Sequence, residues 1–430
     1  PAARDRSPPL ETAAPPADTL PPPPGGAVPP PDATEPPPEL SLEPASVAAA
    51  KLSPAREPAG EPPGPGEVLC GRYQLGEEIG RGGMGSIVAA YDLELRRELV
   101  IKFLHAGPSH RDAVLRFVAE AQVQGQLSHP NICPVHELGV APDGRVFFTM
   151  KRVYGRSIAE RIQGGARLVE QLEVLIKVCD ALAFAHSRGV IHRDLKPANV
   201  MVGAFGEVQV MDWGLAKLRG QLEELEEREP LVVSDRVDEG ELTQEGALLG
   251  TPSYMAPEQA TSEGQIDERT DVYALGGILY AILTGRPPVT GKTTLAVIRK
   301  VVENRITRPS LLASDVPPEL EALVLKALAG DPRERYASAG ELRADLVAYL
   351  EGRALSAADY GLGQLLYKWF LRHKAIAAPT LVASLALLLG GAFYTVRLQA
   401  ALSSESEALA QAQRSAKAEA AAAERERDAA

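Results

Sequence analysis

The amino-acid sequence predicts an α+β protein: a small β-rich lobe, a larger helical lobe and, behind them, a single membrane-crossing helix. Three observations carry that reading. From Arg72 the stretches "YQLGEEIGRGGMGSIVAAYD" and "ELVIKFLH" read as strands around a glycine-rich turn. From about Ser157 to Gly352 the apolar residues recur mostly at helical spacing. Residues 375–396, "AIAAPTLVASLALLLGGAFYTV", carry no charge at all. Period-two and period-3.6 patterns separate strands from helices, and an uncharged run this long suits lipid.

Composition bounds the rest. A chain of 430 residues has room for two or three domains, and 45% hydrophobic residues supply a sizeable core. A formal net charge of −12 and the lack of a basic face argue against a protein that coats nucleic acid. Cys70, Cys133 and Cys179 are far apart and form no CxxC pair. That excludes a disulfide framework or a cysteine zinc site and fits a reducing compartment. The chain opens at Pro1 without a methionine, as a fragment would, and shows no secretory signal there.

The elements follow in order. Residues 1–66 hold more than half of the 36 prolines, in runs such as "PPPPGG" and "PPPDATEPPP". Such a segment cannot pack a core and is expected to be a disordered, partly polyproline tether. After the glycine-rich hairpin, "RDAVLRFVAEAQVQGQL" has helical spacing and "RVFFTMKRV" is another strand. Helices are then expected at "VEQLEVLIKVCDALAFAHSRG", "TDVYALGGILYAILTG" and "PPELEALVLKALAG", with no internal repeat. At about 1.5 Å per residue, the uncharged run 375–396 reaches roughly 33 Å, enough to cross a bilayer core. Lys368, Arg372 and Lys374 lie just before it and Arg397 alone follows closely, which places the N-terminal side in the cytoplasm. Residues 397–430 are Ala-rich, charged and helix-prone, with too few large apolar residues for a coiled coil, and they stop mid-helix.

"IGRGGMGSI" contains Gly80-x-Gly82-x-x-Gly85, with Ile87 after it. The pattern also fits dinucleotide folds, but those need a helix after the glycines. Here "SIVAAYD" reads as a second strand, so the glycines cap a hairpin whose backbone N–H groups can lie over phosphates. Lys102 follows on the next strand, in "LVIKFL". A lone strand lysine is a solvated surface residue. With the hairpin upstream and Glu120 in the helix downstream, a phosphate-binding lysine oriented by an ion pair becomes the better reading.

"GVIHRDLKPANVMV", Gly189 to Val202, sets Asp194 among cations with an amide five residues on. Asp194 can accept a proton from an attacking hydroxyl, Lys196 can neutralise charge on a transferring phosphoryl group, and Asn199 can ligate a metal through its amide oxygen. "VMDWG" follows after one hairpin, and Asp212 supplies a second hard oxygen for Mg²⁺. Phosphoryl transfer asks mainly for positioning and charge neutralisation, which this set offers.

With these residues in order, the chain from about 73 to 350 resembles a protein kinase of the bacterial Hanks-type (eukaryotic-like) serine/threonine class. "GTPSYMAPEQA" (Gly250 to Ala260), "DVYALGG" from Asp271 and Arg335 in "DPRERYASAGEL" extend the match to roughly two-thirds of the chain. The resemblance implies a bilobal protein kinase fold, with a small β-rich N-lobe and a larger helical C-lobe, followed by a single transmembrane helix. Its parts would be a kinase domain at 73–350 with an acidic activation-segment insertion at 218–249, a juxtamembrane segment at 351–374, the span at 375–396 and the tail at 397–430. The order of kinase domain, juxtamembrane segment and single span resembles receptor-like kinases of this class.

By the same resemblance Asp194 is the catalytic base and Lys196 its serine/threonine-kinase companion. Ile79, Gly80, Arg81, Gly82, Gly83, Met84, Gly85, Ser86 and Ile87 cover ATP. Lys102 contacts the α- and β-phosphates while paired with Glu120. Met150 is the gatekeeper, and Lys151 to Val153 form the hinge against adenine. Asn199 and Asp212 hold Mg²⁺. Glu258 pairs with Arg335, Asp271 accepts backbone N–H bonds beneath the catalytic loop, and His192 is a packed structural residue. Trp213 stands where Phe is usual, and Val100 where Ala commonly lines the adenine pocket. Arg193 would anchor a phosphorylated activation loop. Thr243 is the acceptor expected among Ser234, Thr243, Thr251 and Ser253, because Thr251 is expected to bond Asp194 and Lys196 instead.

The function implied is ATP- and Mg²⁺-dependent phosphorylation of protein serine and threonine hydroxyls, including autophosphorylation within a homodimer. The enzyme would sit in the cell (inner) membrane as a single-pass protein, with a cytoplasmic kinase domain, protein substrates and no nucleic-acid partner. The competing classes are a pseudokinase scaffold that binds ATP, disfavoured by the complete residue set, and a structural membrane scaffold, which would need no such set.

Overall fold

A computed structural model describes residues 64–82, 85–105, 110–213, 217–218, 252–261 and 266–429. The proline-rich stretch 1–63, Gly83, Met84, and residues 219–251 with Ser234, Thr243 and Thr251 lie outside the described residues.

The N-terminal lobe is a six-stranded antiparallel sheet. Its strands are β1 (Val68–Leu69), β2 (Tyr73–Arg81), β3 (Gly85–Asp92), β4 (Arg97–Leu104), β5 (Val135–Val140) and β6 (Val146–Lys151), in the spatial order β1-β2-β3-β4-β6-β5. Strand β1 lies ahead of the expected start at residue 73, and its Leu69 is buried in the sheet's core. Helix α1 (His110–Gln126) packs across one face.

Strand β4 explains why this lobe reads as a nearly continuous apolar run. Successive side chains point to opposite faces of a strand. Leu99, Ile101 and Phe103 enter one cluster with Tyr73, Leu75, Val88 and Phe147. Val100 and Leu104 enter the other, against Val114, Phe117, Val118 and Ala121 of α1. Each such fully buried side chain contributes about 1.5–3 kcal/mol. Lys102 is the polar member of the α1-facing set, so strand period alone aims it at the helix.

The C-terminal lobe holds α2 (Ile158–Gln163), α3 (Leu168–Ser187), α4 (Pro257–Thr261), α5 (Glu268–Thr284), α6 (Thr294–Val302), α7 (Pro318–Ala327) and α8 (Ala339–Leu350). Its core gathers Leu172, Leu175, Cys179 and Leu182 of α3 with Tyr273, Leu275, Ile278 and Leu279 of α5, Leu320 and Leu323 of α7, and Leu342 and Leu346 of α8. Side chains cap the starts of α2 and α5. Ser157 and Glu160 form a reciprocal capping box on α2, and the Asp267 side chain accepts the Arg269 N–H at the start of α5. Short strands carry the loops that matter: β7 (Gly155–Ser157), β8 (Val190–Ile191), β9 (Val200–Gly203), β10 (Val208–Val210) and β11 (Lys217–Leu218), with β9 and β10 forming the expected hairpin.

The juxtamembrane segment contains a helix, α9 (Leu362–Arg372). The span and the tail, both expected to be helical, lie in one element: α10 runs unbroken over Lys374–Ala429, because nothing in the Ala-rich stretch after residue 396 stops a helix. One stretch of α10 is long and apolar enough to cross a membrane, and no part of that apolar stretch is buried against the described chain. Leu381, Leu385, Leu388 and Phe393 all face outward.

Candidate active site

The site forms where the two lobes meet, and Lys102 shows how. Its Nζ lies 2.6 Å from Glu120 Oε1 on α1 and 3.4 Å from Asp212 Oδ1, contributed from beyond β10. The Glu120 side chain is almost fully buried, that of Lys102 nearly so, while the Asp212 side chain keeps 48% of its surface exposed. Burial opposes the charge on Lys102, but the carboxylates of Glu120 and Asp212 outweigh it and raise the amine's pKa above its ordinary value. Burial pushes Glu120 up, with Lys102 offsetting part of that push. The second Glu120 oxygen is buried without a hydrogen-bond partner.

The loop that carries Asp194 leaves β8 and turns sharply. Arg193 adopts φ 68°, a left-handed conformation that a side chain normally avoids. Asp271, fully buried in the first turn of α5, holds the turn: its Oδ2 accepts the His192 N–H at 2.8 Å and its Oδ1 the Arg193 N–H at 2.9 Å. His186 Nε2 reaches the same Oδ2 at 2.8 Å. Burial would raise this carboxyl, yet the bonds from His186 and the His192 backbone hold its pKa below the ordinary value. Gln259 clamps the other side, donating to the Arg193 carbonyl at 2.8 Å. Sequence reading did not single out His186 or Gln259, since neither has a local pattern that marks a partner so distant in the chain.

Asp194 then emerges with its neighbours around it. Lys196 Nζ lies 2.7 Å from Asp194 Oδ2. Asn199 closes the short 3₁₀ turn Pro197–Asn199 and donates from Nδ2 to the Asp194 carbonyl at 2.8 Å. That choice of donor leaves the amide oxygen as the atom for a cation. Across from it, Asp212 also holds a left-handed φ, 63°. Partial burial works against its charge, and Lys102, His192 and Lys196 together keep its carboxyl below the ordinary value. Trp213 is completely buried, with its ring centre 4.6 Å from that of His192, so it fills the position expected of a smaller aromatic plug. His192 is packed, as expected, with Nε2 at 3.1 Å from the Met211 carbonyl.

Mg²⁺ fits this donor set. It keeps water and phosphate oxygens and takes only one or two protein ligands. The half-exposed Asp212 carboxylate and the Asn199 amide oxygen are hard donors of the kind that such an ion takes.

The glycine-rich hairpin divides by physical reason. A side chain at Gly85 would collide with the Phe103 carbonyl of β4, so the close approach of two strands demands that glycine. A Cβ at Gly80 would meet nothing nearer than 3.8 Å and at Gly82 nothing nearer than 3.9 Å, and neither has a positive φ. Packing among the described residues leaves room at both positions. The Gly82 N–H closes the loop on the Gly85 carbonyl at 2.9 Å. Ile79 is 53% exposed at the lip, and Arg81 is held outward by Glu78 at 2.7 Å. Ile87 packs with Val100 and Met150 on the cleft-side cluster, and Val153 follows the end of β6. Ser86 does not join them. Its side chain is buried on the opposite face from Ile87, with an unpartnered hydroxyl, so only its backbone is available to a nucleotide.

The expected pair below the cleft is present. Arg335 forks onto Glu258, Nη1 to Oε1 at 2.7 Å and Nη2 to Oε2 at 2.8 Å, with both side chains buried. Thr270 adds a bond to Glu258 at 2.9 Å.

Comparison with known proteins agrees with this geometry. Residues 73–346 match the family described as protein kinase domain. A probable serine/threonine-protein kinase of Streptomyces coelicolor is 38% identical over 296 residues, covering 67% of this chain and 41% of that protein. Serine/threonine-protein kinase PknB of Mycolicibacterium smegmatis is 40% identical over 292 residues, covering 66% and 44%. PknB of Mycobacterium tuberculosis is 38% identical over 290 residues, with the same coverage. The chain spans less than half the length of these curated relatives.

Proposed function

This chain belongs to the protein kinase domain family, and from that premise we propose that it transfers the γ-phosphoryl group of ATP to serine and threonine hydroxyls of proteins. The observation that carries the proposal is the convergence of two separate sets in one cleft. Lys102, Glu120 and Asp212 form one, and Asp194, Lys196 and Asn199 form the other. A pseudokinase scaffold is disfavoured, because all six stand among the described residues.

Each side chain has a definable task. Asp194 orients the attacking hydroxyl and takes its proton as the new phosphorus–oxygen bond forms. Lys196, 2.7 Å from that carboxylate, faces the charge moving onto the acceptor. Lys102 holds phosphate charge, and Glu120 keeps Lys102 in place. Gly80 and Gly82 leave the backbone open above the phosphates, while Ile79, Ile87, Met150 and Val153 supply the apolar surround of the base. Asn199 and Asp212 would hold Mg²⁺, which neutralises phosphate charge when bound. The test is phosphate transfer from labelled ATP to a protein acceptor, beside Asp194→Asn. Transfer that persists in the variant would remove Asp194 from its role.

Control and location extend the reading. The uncharged run 375–396 and the basic residues before it support a single-pass protein of the cell (inner) membrane with its catalytic lobes in the cytoplasm. Protease protection in sealed vesicles tests this, since lobes shielded on the cytoplasmic side would reverse the topology. Autophosphorylation of Thr243 across a homodimer would raise activity, with Arg193 as the phosphate's anchor. Phosphopeptide mapping checks it, and a fully active Thr243→Ala variant would overturn it.

A further inference from the structure

The segment between the helical lobe and α10 is fastened to the lobe. Asp345 of α8 accepts the Ser356 N–H at 2.8 Å, the Ala357 N–H at 3.0 Å and the Ser356 hydroxyl at 2.8 Å. Leu355 is buried in the helical core. The Tyr360 hydroxyl donates to Glu319 Oε1 at 2.8 Å and accepts the Leu355 N–H at 3.2 Å. Lys368 of α9 completes the clasp, with Nζ 2.6 Å from Glu319 Oε1, 2.9 Å from the Arg353 carbonyl and 5.0 Å from the centre of the Tyr360 ring. The Lys368 and Glu319 side chains are largely shielded, at 20% and 27% exposure, unlike an ordinary surface ion pair.

Helix α9 has two faces. Gln364, Lys368 and Arg372 recur every four residues on one side; Lys368 reaches the lobe, while Arg372, one turn nearer α10, is exposed. By helical period, positions 362, 366, 369 and 370 (Leu, Leu, Trp and Phe) fall on the other. Trp369 leaves 52% of its surface exposed. The helix breaks at one residue, His373 (φ −109°, ψ 30°), and α10 begins at Lys374 with the apolar run directly after it. Lys368 and Lys374 are six residues apart, a reach of at most about 22 Å if fully extended and much less in a helix. If α10 enters a bilayer, α9 cannot leave the bilayer's surface.

We propose that α9 lies in the headgroup layer of the membrane that α10 crosses, with Trp369 at the apolar boundary and Arg372 on anionic phospholipid headgroups. The Glu319–Lys368–Tyr360 clasp then holds the helical lobe down on the same surface. This rests on the reading of α10 as a membrane span. Chain continuity names the occupant: the apolar face of α9 and the apolar run of α10 are joined through a single non-helical residue, so one medium covers both.

The test uses the full chain in vesicles of phosphatidylcholine, with and without phosphatidylglycerol. The chain has two tryptophans, so the spectrum of wild type minus Trp369→Phe isolates Trp369 with Trp213 intact. The expected result is blue-shifted emission, protection from iodide, and quenching by lipids brominated high on the acyl chain. Phosphatidylglycerol should strengthen these effects, and Arg372→Gln should remove that dependence. Trp369 open to iodide in vesicles where α10 resists alkaline extraction would overturn the proposal and leave the membrane span standing. Extraction of α10 itself by alkali would overturn both. Lipid protection that ignores phosphatidylglycerol would overturn the assignment of anionic headgroups.

Discussion

Asp271 and Arg193 are 78 residues apart, yet the Asp271 carboxylate accepts the Arg193 backbone N–H at 2.9 Å. Arg193 is one of two site residues in left-handed backbone, Asp212 being the other. Such conformations cost of order 1–3 kcal/mol and persist only where surrounding bonds over-determine them. Here a fully buried acid on α5 does so for the loop that presents Asp194. Replacing it by Asn leaves one of two adjacent backbone donors facing an amide N–H₂. Asp271→Asn should therefore lower stability by about 1–3 kcal/mol and reduce kcat together. Thermal unfolding and steady-state kinetics on the same preparation check this, and an unchanged kcat would show that the loop does not need the acid.

Lys102→Met should cut kcat on the order of a hundredfold to a thousandfold, the usual cost of losing one preorganised charge at a phosphoryl site. Glu120→Gln should cost less, and the double variant should match Lys102→Met rather than the sum, because Glu120 acts through Lys102 at 2.6 Å. Additive losses would separate the two residues.

Asp194→Asn should lower phosphate transfer by about a hundredfold to ten-thousandfold while ATP still binds, since the nucleotide is held by other groups. Fluorescent-nucleotide titration beside a transfer assay distinguishes the two effects. Loss of nucleotide binding would point to a collapsed cleft instead.

Arg335→Met should destabilise the helical lobe by about 3–5 kcal/mol, because it strands the Glu258 carboxylate in the interior. Glu258→Gln should recover part of that loss in the Arg335→Met background by removing the orphaned charge. Thermal unfolding of the detergent-solubilised chain gives both numbers.

Acid stability should depend on Asp92. The Arg72 guanidinium and the Glu94 and Leu95 N–H groups draw this buried carboxyl from 3.8 to about 2. A pKa depressed in the folded state gives stability that is complete above the unfolded value and vanishes as pH falls through the folded one. The stability gap between wild type and Asp92→Asn should thus be full at neutral pH and close between about pH 3.8 and about 2. A gap that stays constant through this range would remove the Arg72–Asp92 pair as its source.

Much of the site was legible from residue order. Lys102 stands out because it is the one charge in "LVIKFL", and strand period sends it to the same face as Val100 and Leu104. Asp194, Lys196 and Asn199 lie within one short loop, so their contacts at 2.7 and 2.8 Å follow from local geometry. That the Ser86 side chain turns away from Ile87 follows from the alternation of β3, which a motif read as one block does not display. The grip of His186 and Gln259 on the loop had no local sign.

By itself the sequence determined which segments form strands and helices, that an acid, a lysine and an amide share one loop, and that an uncharged run follows the lobes. These are local properties, set by period, capping and turn chemistry over a few residues. Only tertiary structure decided that Asp271 supports Arg193, that Gly85 serves strand packing while Gly80 and Gly82 stand clear, and that Lys368 is bound to Glu319 rather than free. Those outcomes depend on the distances between elements far apart in the chain. Such distances follow from how the two hydrophobic cores pack, which no short stretch of residues encodes.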